Sequence, residues 1–129
     1  MLPLSEVQTA FFTALTPAMA PVPVIDQAAP NQVFPYVTIG EFIGDQLDTL
    51  EEEAIDLDLT VHVWSRQPGM QECQQLMTKA KDALHRQRLP VSGFQWVDTI
   101  WEYAQTMRDP DGMTRHGILR FRVVTFSSV

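Results

Sequence analysis

A single cysteine, Cys73, excludes an intramolecular disulfide and any zinc site built on thiolates. Basic residues are few: 9 Lys and Arg against 16 Asp and Glu leave a net charge of −7. Such a chain is poorly suited to wrapping DNA, because neutralising phosphates takes clustered cations. No apolar run approaches the roughly 18 residues of a membrane span. Phe11-Phe12 followed by Ala18-Met19-Ala20 resembles a signal-peptidase site, but residues 1–10 hold no Lys or Arg and do hold Glu6. The positive leader is therefore missing, and the chain reads as cytosolic. There is no Gly-rich phosphate loop and no Gly-x-Ser-x-Gly elbow. His62, His85 and His116 stand at no metal-ligand spacing, so they read as surface or hydrogen-bonded structural residues.

What the chain does have is a 45% hydrophobic content over 129 residues, enough for one core and one domain, residues 1–129. Residues 5–15 read as a helix capped by Ser5, with Val7, Ala10, Phe11, Ala14 and Leu15 on one stripe and Thr16-Pro17 ending it. Five prolines between residues 17 and 35 make that stretch an extended connector crossing the surface, neither helix nor central strand. Tyr36 to Ile43 reads as a short strand. Ile55, Leu57, Leu59, Val61 and Val63 alternate with Asp56, Asp58, Thr60, His62 and Trp64, the clearest strand pattern present. After Pro68-Gly69, residues 70–86 read as a second helix, with Cys73, Leu76, Met77, Ala80, Ala83 and Leu84 at helical spacing. A strand or bent pair over 94–107 and a last strand over 114–126 flank the turn Asp109-Pro110-Asp111-Gly112. The expected architecture is α+β: an antiparallel sheet of about four strands with two main helices packed on one face.

Cys73 lies on the apolar stripe of its helix and reads as a buried inert thiol. Asp109 and Asp111 near His116 suggest acid–base work, but turn formation explains both aspartates fully. The acidic run Asp45, Asp48, Glu51, Glu52, Glu53, Asp56 and Asp58 reads as a solvated loop or as a contact to a neighbour's arginines, and lacks the pattern of a calcium loop. Trp64 is a large aromatic on a polar strand face; it either packs under a loop or marks an interface. Arg120 and Arg122 share a face of the last strand, as Asp56 and Asp58 do of theirs, so adjacency of the two strands would pair them.

Three segments occur in order: Phe34-Pro35-Tyr36-Val37-Thr38-Ile39-Gly40, Leu59-Thr60-Val61-His62-Val63-Trp64-Ser65-Arg66, and Arg108-Asp109-Pro110-Asp111-Gly112 through Arg122. Together they resemble the tail-completion or tail-terminator (neck) family of long-tailed phages, prophages and gene transfer agents. Residues 44–54 depart from the family pattern, with Leu47, Leu50 and the Glu triplet where a more polar, Gly-containing loop is expected. The resemblance implies a non-enzymatic α+β protein without cofactor. It implies a ring of copies, commonly a hexamer, at the head-proximal end of the tail tube, stopping tube growth and joining tail to head. The implied partners are further copies of the chain, the tail tube protein and a head–tail connector or stopper. DNA would pass through the ring without specific binding, and no membrane is involved. The implied location is the virion tail or neck, after assembly in the host cytoplasm. Asp56, Asp58, Trp64, Arg120 and Arg122 are the candidate subunit interface. The other classes are a tail-assembly chaperone or monomeric adaptor and, further off, a small hydrolase.

Overall fold

The computed structural model describes residues 2–48, 53–91 and 93–127. The elements run α1 (Leu4–Met19), β1 (Val24–Ile25), β2 (Tyr36–Asp48), β3 (Glu53–Ser65), α2 (Gln71–Leu84), β4 (Phe94–Arg108) and β5 (Arg115–Ser127). The strands form one sheet in the order β1-β2-β3-β5-β4. Every pairing is antiparallel except that of β1 with β2.

The α+β class and the antiparallel core stand, but the strand number is five among the described residues, not four. The extra strand, β1, comes from the proline-rich connector. Its two residues pair parallel to Val37 and Thr38 at the sheet edge, and the Pro23 carbonyl accepts the Val37 N–H. An edge tolerates neighbouring prolines because one side of the strand needs no donor. The connector is also shorter than expected, since α1 runs through Pro17 to Met19. Proline removes one helical donor, a small loss in a last turn, and the fully buried Met19 anchors that turn in the core. Ser5 lies inside α1 and caps nothing; the first helical bond runs from the Val7 N–H to the Pro3 carbonyl.

The apolar periodicities decide the packing. Leu57, Leu59, Val61 and Val63 of β3 and Leu119, Phe121 and Val123 of β5 form one sheet face. Val7, Ala10, Phe11 and Leu15 of α1, with Cys73, Leu76, Met77, Ala80 and Leu84 of α2, cover it. The Phe11 ring meets Phe121 edge-on at 5.9 Å. Gly117 of β5 lies directly beneath α2, where a Cβ would stand 2.5 Å from Met77 Sδ. The far end of α2 is tied to β4: Arg86, at φ +63°, donates its N–H to the Thr99 carbonyl, and Trp101 N–H donates to His85 Nδ1. Strand β4 is a single strand with two bulges rather than a bent pair. Bulges twist an edge and discourage indiscriminate pairing. Both helices thus occupy one layer, and among the described residues no helix covers the opposite sheet face, the outer face.

Candidate functional site

Register determines what the outer face carries. Asp56, Asp58, Thr60, His62 and Trp64 of β3 lie beside Val124, Arg122, Arg120, Ile118 and His116 of β5. Tyr36 and Thr38 of β2 flank Trp64 and His62 on the other side, and Ile100, Tyr103 and Gln105 of β4 flank β5. All five candidate interface residues therefore occupy one face. Acidic and arginine-bearing positions are brought together rather than set on separate sides.

Within that face the side chains sort into zones. At one end lies an aromatic stack. Trp64 and His116 are nearly parallel with ring centroids 3.8 Å apart, and Tyr36 stacks on the far side of Trp64 at 6.1 Å. The Trp64 indole N–H donates to Thr38 Oγ1 at 3.1 Å, and the Arg66 guanidinium lies 4.2 Å from the centroid of the Phe34 ring. Trp64 thus packs among outer-face side chains and is not left standing in solvent. Beneath the stack His62 and His116 hydrogen-bond ring to ring at 2.7 Å, and the other His62 nitrogen, Nε2, meets Glu41 Oε1 at 2.9 Å. The two histidines are thus hydrogen-bonded to each other and buried rather than free at the surface. Their meeting is not readable from spacing, because it depends on the β3–β5 register.

The middle zone is charged. Arg122 grips Asp56 with two bonds, Nε to Oδ1 and Nη2 to Oδ2, both 2.9 Å, which holds the guanidinium charged more firmly than usual. Arg120 instead extends over Tyr103, 5.3 Å from the ring centroid. Loss of hydration pushes the Glu102 carboxyl above its ordinary value, and the neighbouring Asp58 carboxylate, with which it shares a hydrogen bond, adds to the rise. The belt therefore has one satisfied ion pair and an acidic surplus at Asp58 and Glu102. Arg122→Ala is expected to lower the unfolding free energy by about 0.2–1 kcal/mol, the range of a cross-strand ion pair half open to water. Urea denaturation of both proteins measures it. At the other end Ile43 and Leu47 of β2 are 59% and 40% exposed, an apolar tip on the same face. The acidic run expected as a solvated loop is largely strand instead, with Asp45 and Asp48 in β2 and Glu53, Asp56 and Asp58 in β3, while Glu51 and Glu52, like Leu50, lie outside the described residues.

The turn between β4 and β5 works as its residues suggested. Gly112 has φ +74°, and its N–H donates to the Asp109 carbonyl. Asp111 accepts the N–H groups of Met113 and Thr114 and the Thr114 hydroxyl, which lower its carboxyl to about 2. These bonds contribute stability above the ordinary aspartate value and lose it as pH falls toward 2. An NMR titration should place Asp111 well below the other aspartates. With three hydrogen bonds of the turn accepted by its two oxygens, the Asp111 carboxylate has a structural task. Burial raises the Cys73 thiol, as befits an inert core residue. A cleft of about 370 Å³ between α1 and Leu89–Val91 is lined by Ser5, Glu6, Thr9 and Thr13 with alanine and proline. Among the described residues no group of three His, Cys, Asp or Glu side chains is arranged to hold a metal ion, and no helix is long and apolar enough to cross a membrane.

Residues 8–125 match the family model described as "Tail completion protein gp17". The tail completion protein gp17 of Bacillus phage SPP1 is 28% identical over 99 residues, covering 77% of this chain and 73% of that protein. The solved structure of bacteriophage SPP1 gp17 superimposes with a TM-score of 0.57 at 25% identity, over 98% of this chain and 89% of the other. A chain in the virion of a native gene transfer agent particle has the same fold: TM-score 0.85, 16% identity, and 95% and 96% coverage.

Proposed function

The chain belongs to the tail completion protein gp17 family, and from that premise we propose that it is a structural component of a phage or gene-transfer-agent tail. In this reading copies of the chain close into a ring, commonly of six, at the head-proximal end of the tail tube. The ring stops tube polymerisation and presents a surface to the head connector. Catalysis plays no part. DNA passes through the ring, and the net charge of −7 keeps phosphates from adhering. The observation that carries the reading is the family match over residues 8–125.

The outer face supports it physically. A closed ring needs a heterologous contact, two different patches on each subunit. The uncovered sheet face offers one, with an acidic surplus at Asp58 and Glu102. The exposed side of α2, on the opposite layer, offers a second patch of mixed sign, with Lys79 and Asp82 available to meet the Asp58 and Arg120 of a neighbour. The candidate interface residues Asp56, Asp58, Trp64, Arg120 and Arg122 all lie on the first patch. A contact stable on its own buries on the order of 1,000 Å² or more, and a weaker one assembles only on the templating tail tip.

Removing the gene from its phage or particle and imaging the tails tests the reading. Overlong tails, or tails unattached to heads, are expected; tails of normal length joined to heads would overturn it. Complementation with Arg120→Glu refines it, because Arg120 makes no ion pair among the described residues. The variant is expected to fold normally and to restore joined tails poorly.

A further inference from the structure

The three side chains Glu41, His62 and His116 come from three adjacent strands, β2, β3 and β5, and form one hydrogen-bonded chain across the outer face. Glu41 occupies the β2 bulge at φ +58°, a conformation that costs a non-glycine residue energy, and from there its carboxylate reaches His62 Nε2. We propose that these three residues are a one-proton latch, closing the aromatic end of the outer face when the imidazole pair is neutral or holds one extra proton and opening it when the pair takes a second.

Proton counting on the ring nitrogens carries this. In the neutral pair His62 Nε2–H donates to Glu41, and His62 Nδ1 accepts the Nε2–H of His116. One added proton leaves the chain intact: His62 then donates through both nitrogens, and His116 accepts at Nε2 while carrying its hydrogen on Nδ1. A second proton places N–H groups on both facing nitrogens, 2.7 Å apart with two positive charges, and the rings must part. Trp64 moves with them, since it stacks on both imidazoles. The charged groups facing His116 are Glu41 from β2 and Asp109 from the β4–β5 turn, which favour its protonation, and His62 from β3, which opposes it. Arg66 acts on Tyr36 one ring further along. Burial, then His62, holds His116 below its ordinary value of 6.5, so folded His116 refuses a proton that the unfolded chain accepts. The stability that His116 contributes by staying neutral is complete above pH 6.5 and declines as pH falls below it.

The test is an NMR titration of the histidine rings in the full chain between about pH 4 and 8, with hydrogen exchange of the Trp64 indole followed in parallel. Two uptake steps separated by more than about one pH unit are expected for the pair. The Trp64 N–H, held by Thr38, should stay protected through the upper step and exchange at least about tenfold faster below the lower one. Glu41→Gln should move the upper step to lower pH, and His116→Gln should leave His62 with a single step. Two imidazoles titrating together at one midpoint, or an indole indifferent to the lower step, would overturn the latch. Should His116→Gln not fold, the wild-type titration and Glu41→Gln decide. The experiment uses the isolated subunit, so its outcome is independent of whether the chain forms a ring.

Discussion

Phe121→Ala is expected to lower the unfolding free energy by about 3–5 kcal/mol, among the largest losses any single truncation here can produce. Phe121 is fully buried at the centre of β5, opposite Leu59 of β3 and Trp101 of β4, and its ring is the sheet-side partner of Phe11 in α1. Removing it deletes a transfer contribution and leaves a cavity bounded by three strands and a helix, which cannot all close in. Leu59→Ala, one strand over, should cost about 2–5 kcal/mol by the same route. The double variant should fall short of the sum, because both truncations open the same space. Equilibrium urea unfolding of the three variants measures this. A Leu59→Ala loss under about 0.5 kcal/mol would mean that the odd-numbered face of β3 does not look toward the helices.

That face was legible from sequence because strand periodicity needs no partner: alternation from Ile55 to Val63 identifies a buried side whatever lies next to it. The same holds for the α2 stripe and for the Asp109–Gly112 turn, whose residues are chosen by local dihedral angles. The failures were of two kinds. Pro17 suggests the end of a helix, yet proline is weakly disruptive in a last helical turn; the connector prolines exclude a central strand but leave room for a two-residue edge strand that nothing local marks. The composition of the outer face was only half legible. The even-numbered positions of β3 and β5 could each be assigned to a polar side, but the pairing register fixes which ones touch. Adjacency of the strands implies pairs between Asp56 or Asp58 and Arg120 or Arg122; β3 does pair with β5, and Asp56 pairs with Arg122, but Arg120 lies over Tyr103 instead. His62 and His116, 54 residues apart, meet for the same reason, yet nothing local marks them. The signal available in retrospect is that both fall on the polar side of strands that pair. The family resemblance, in contrast, was carried by three motif segments, and the family model spans all three from residue 8 to 125.

Gly117→Ala should destabilise the fold by about 1–3 kcal/mol although it adds one methyl group, and larger side chains should cost more. The loss comes from overpacking, the opposite of the Phe121 case. Gly117 is buried on the core face of β5, paired with Val63 of β3 and Thr106 of β4, and α2 sits directly on it. A Cβ there would stand 2.5 Å from Met77 Sδ, 2.8 Å from Met77 Cγ and 3.1 Å from Cys73 Sγ. Two of those three atoms belong to a flexible thioether chain, which can swing aside. The third belongs to a short side chain on the same helix, which can yield only if the α2 backbone rises from the sheet. Met77→Ala alone should also be destabilising, through the cavity it leaves. In the double variant the added methyl enters that cavity, so Gly117→Ala with Met77→Ala should be more stable than the sum of the single losses by about 0.5–3 kcal/mol. Strict additivity would show that Met77 does not seat on Gly117, and that α2 is held to the sheet by its remaining contacts alone. The same lift bears on the outer face. Gly117 is flanked in sequence by His116 and Ile118, whose side chains point away from α2, so any displacement of β5 by the new methyl moves His116 relative to Trp64. Gly117→Ala should therefore shift the Trp64 indole resonance in the folded protein, and Met77→Ala should restore it toward the wild-type position.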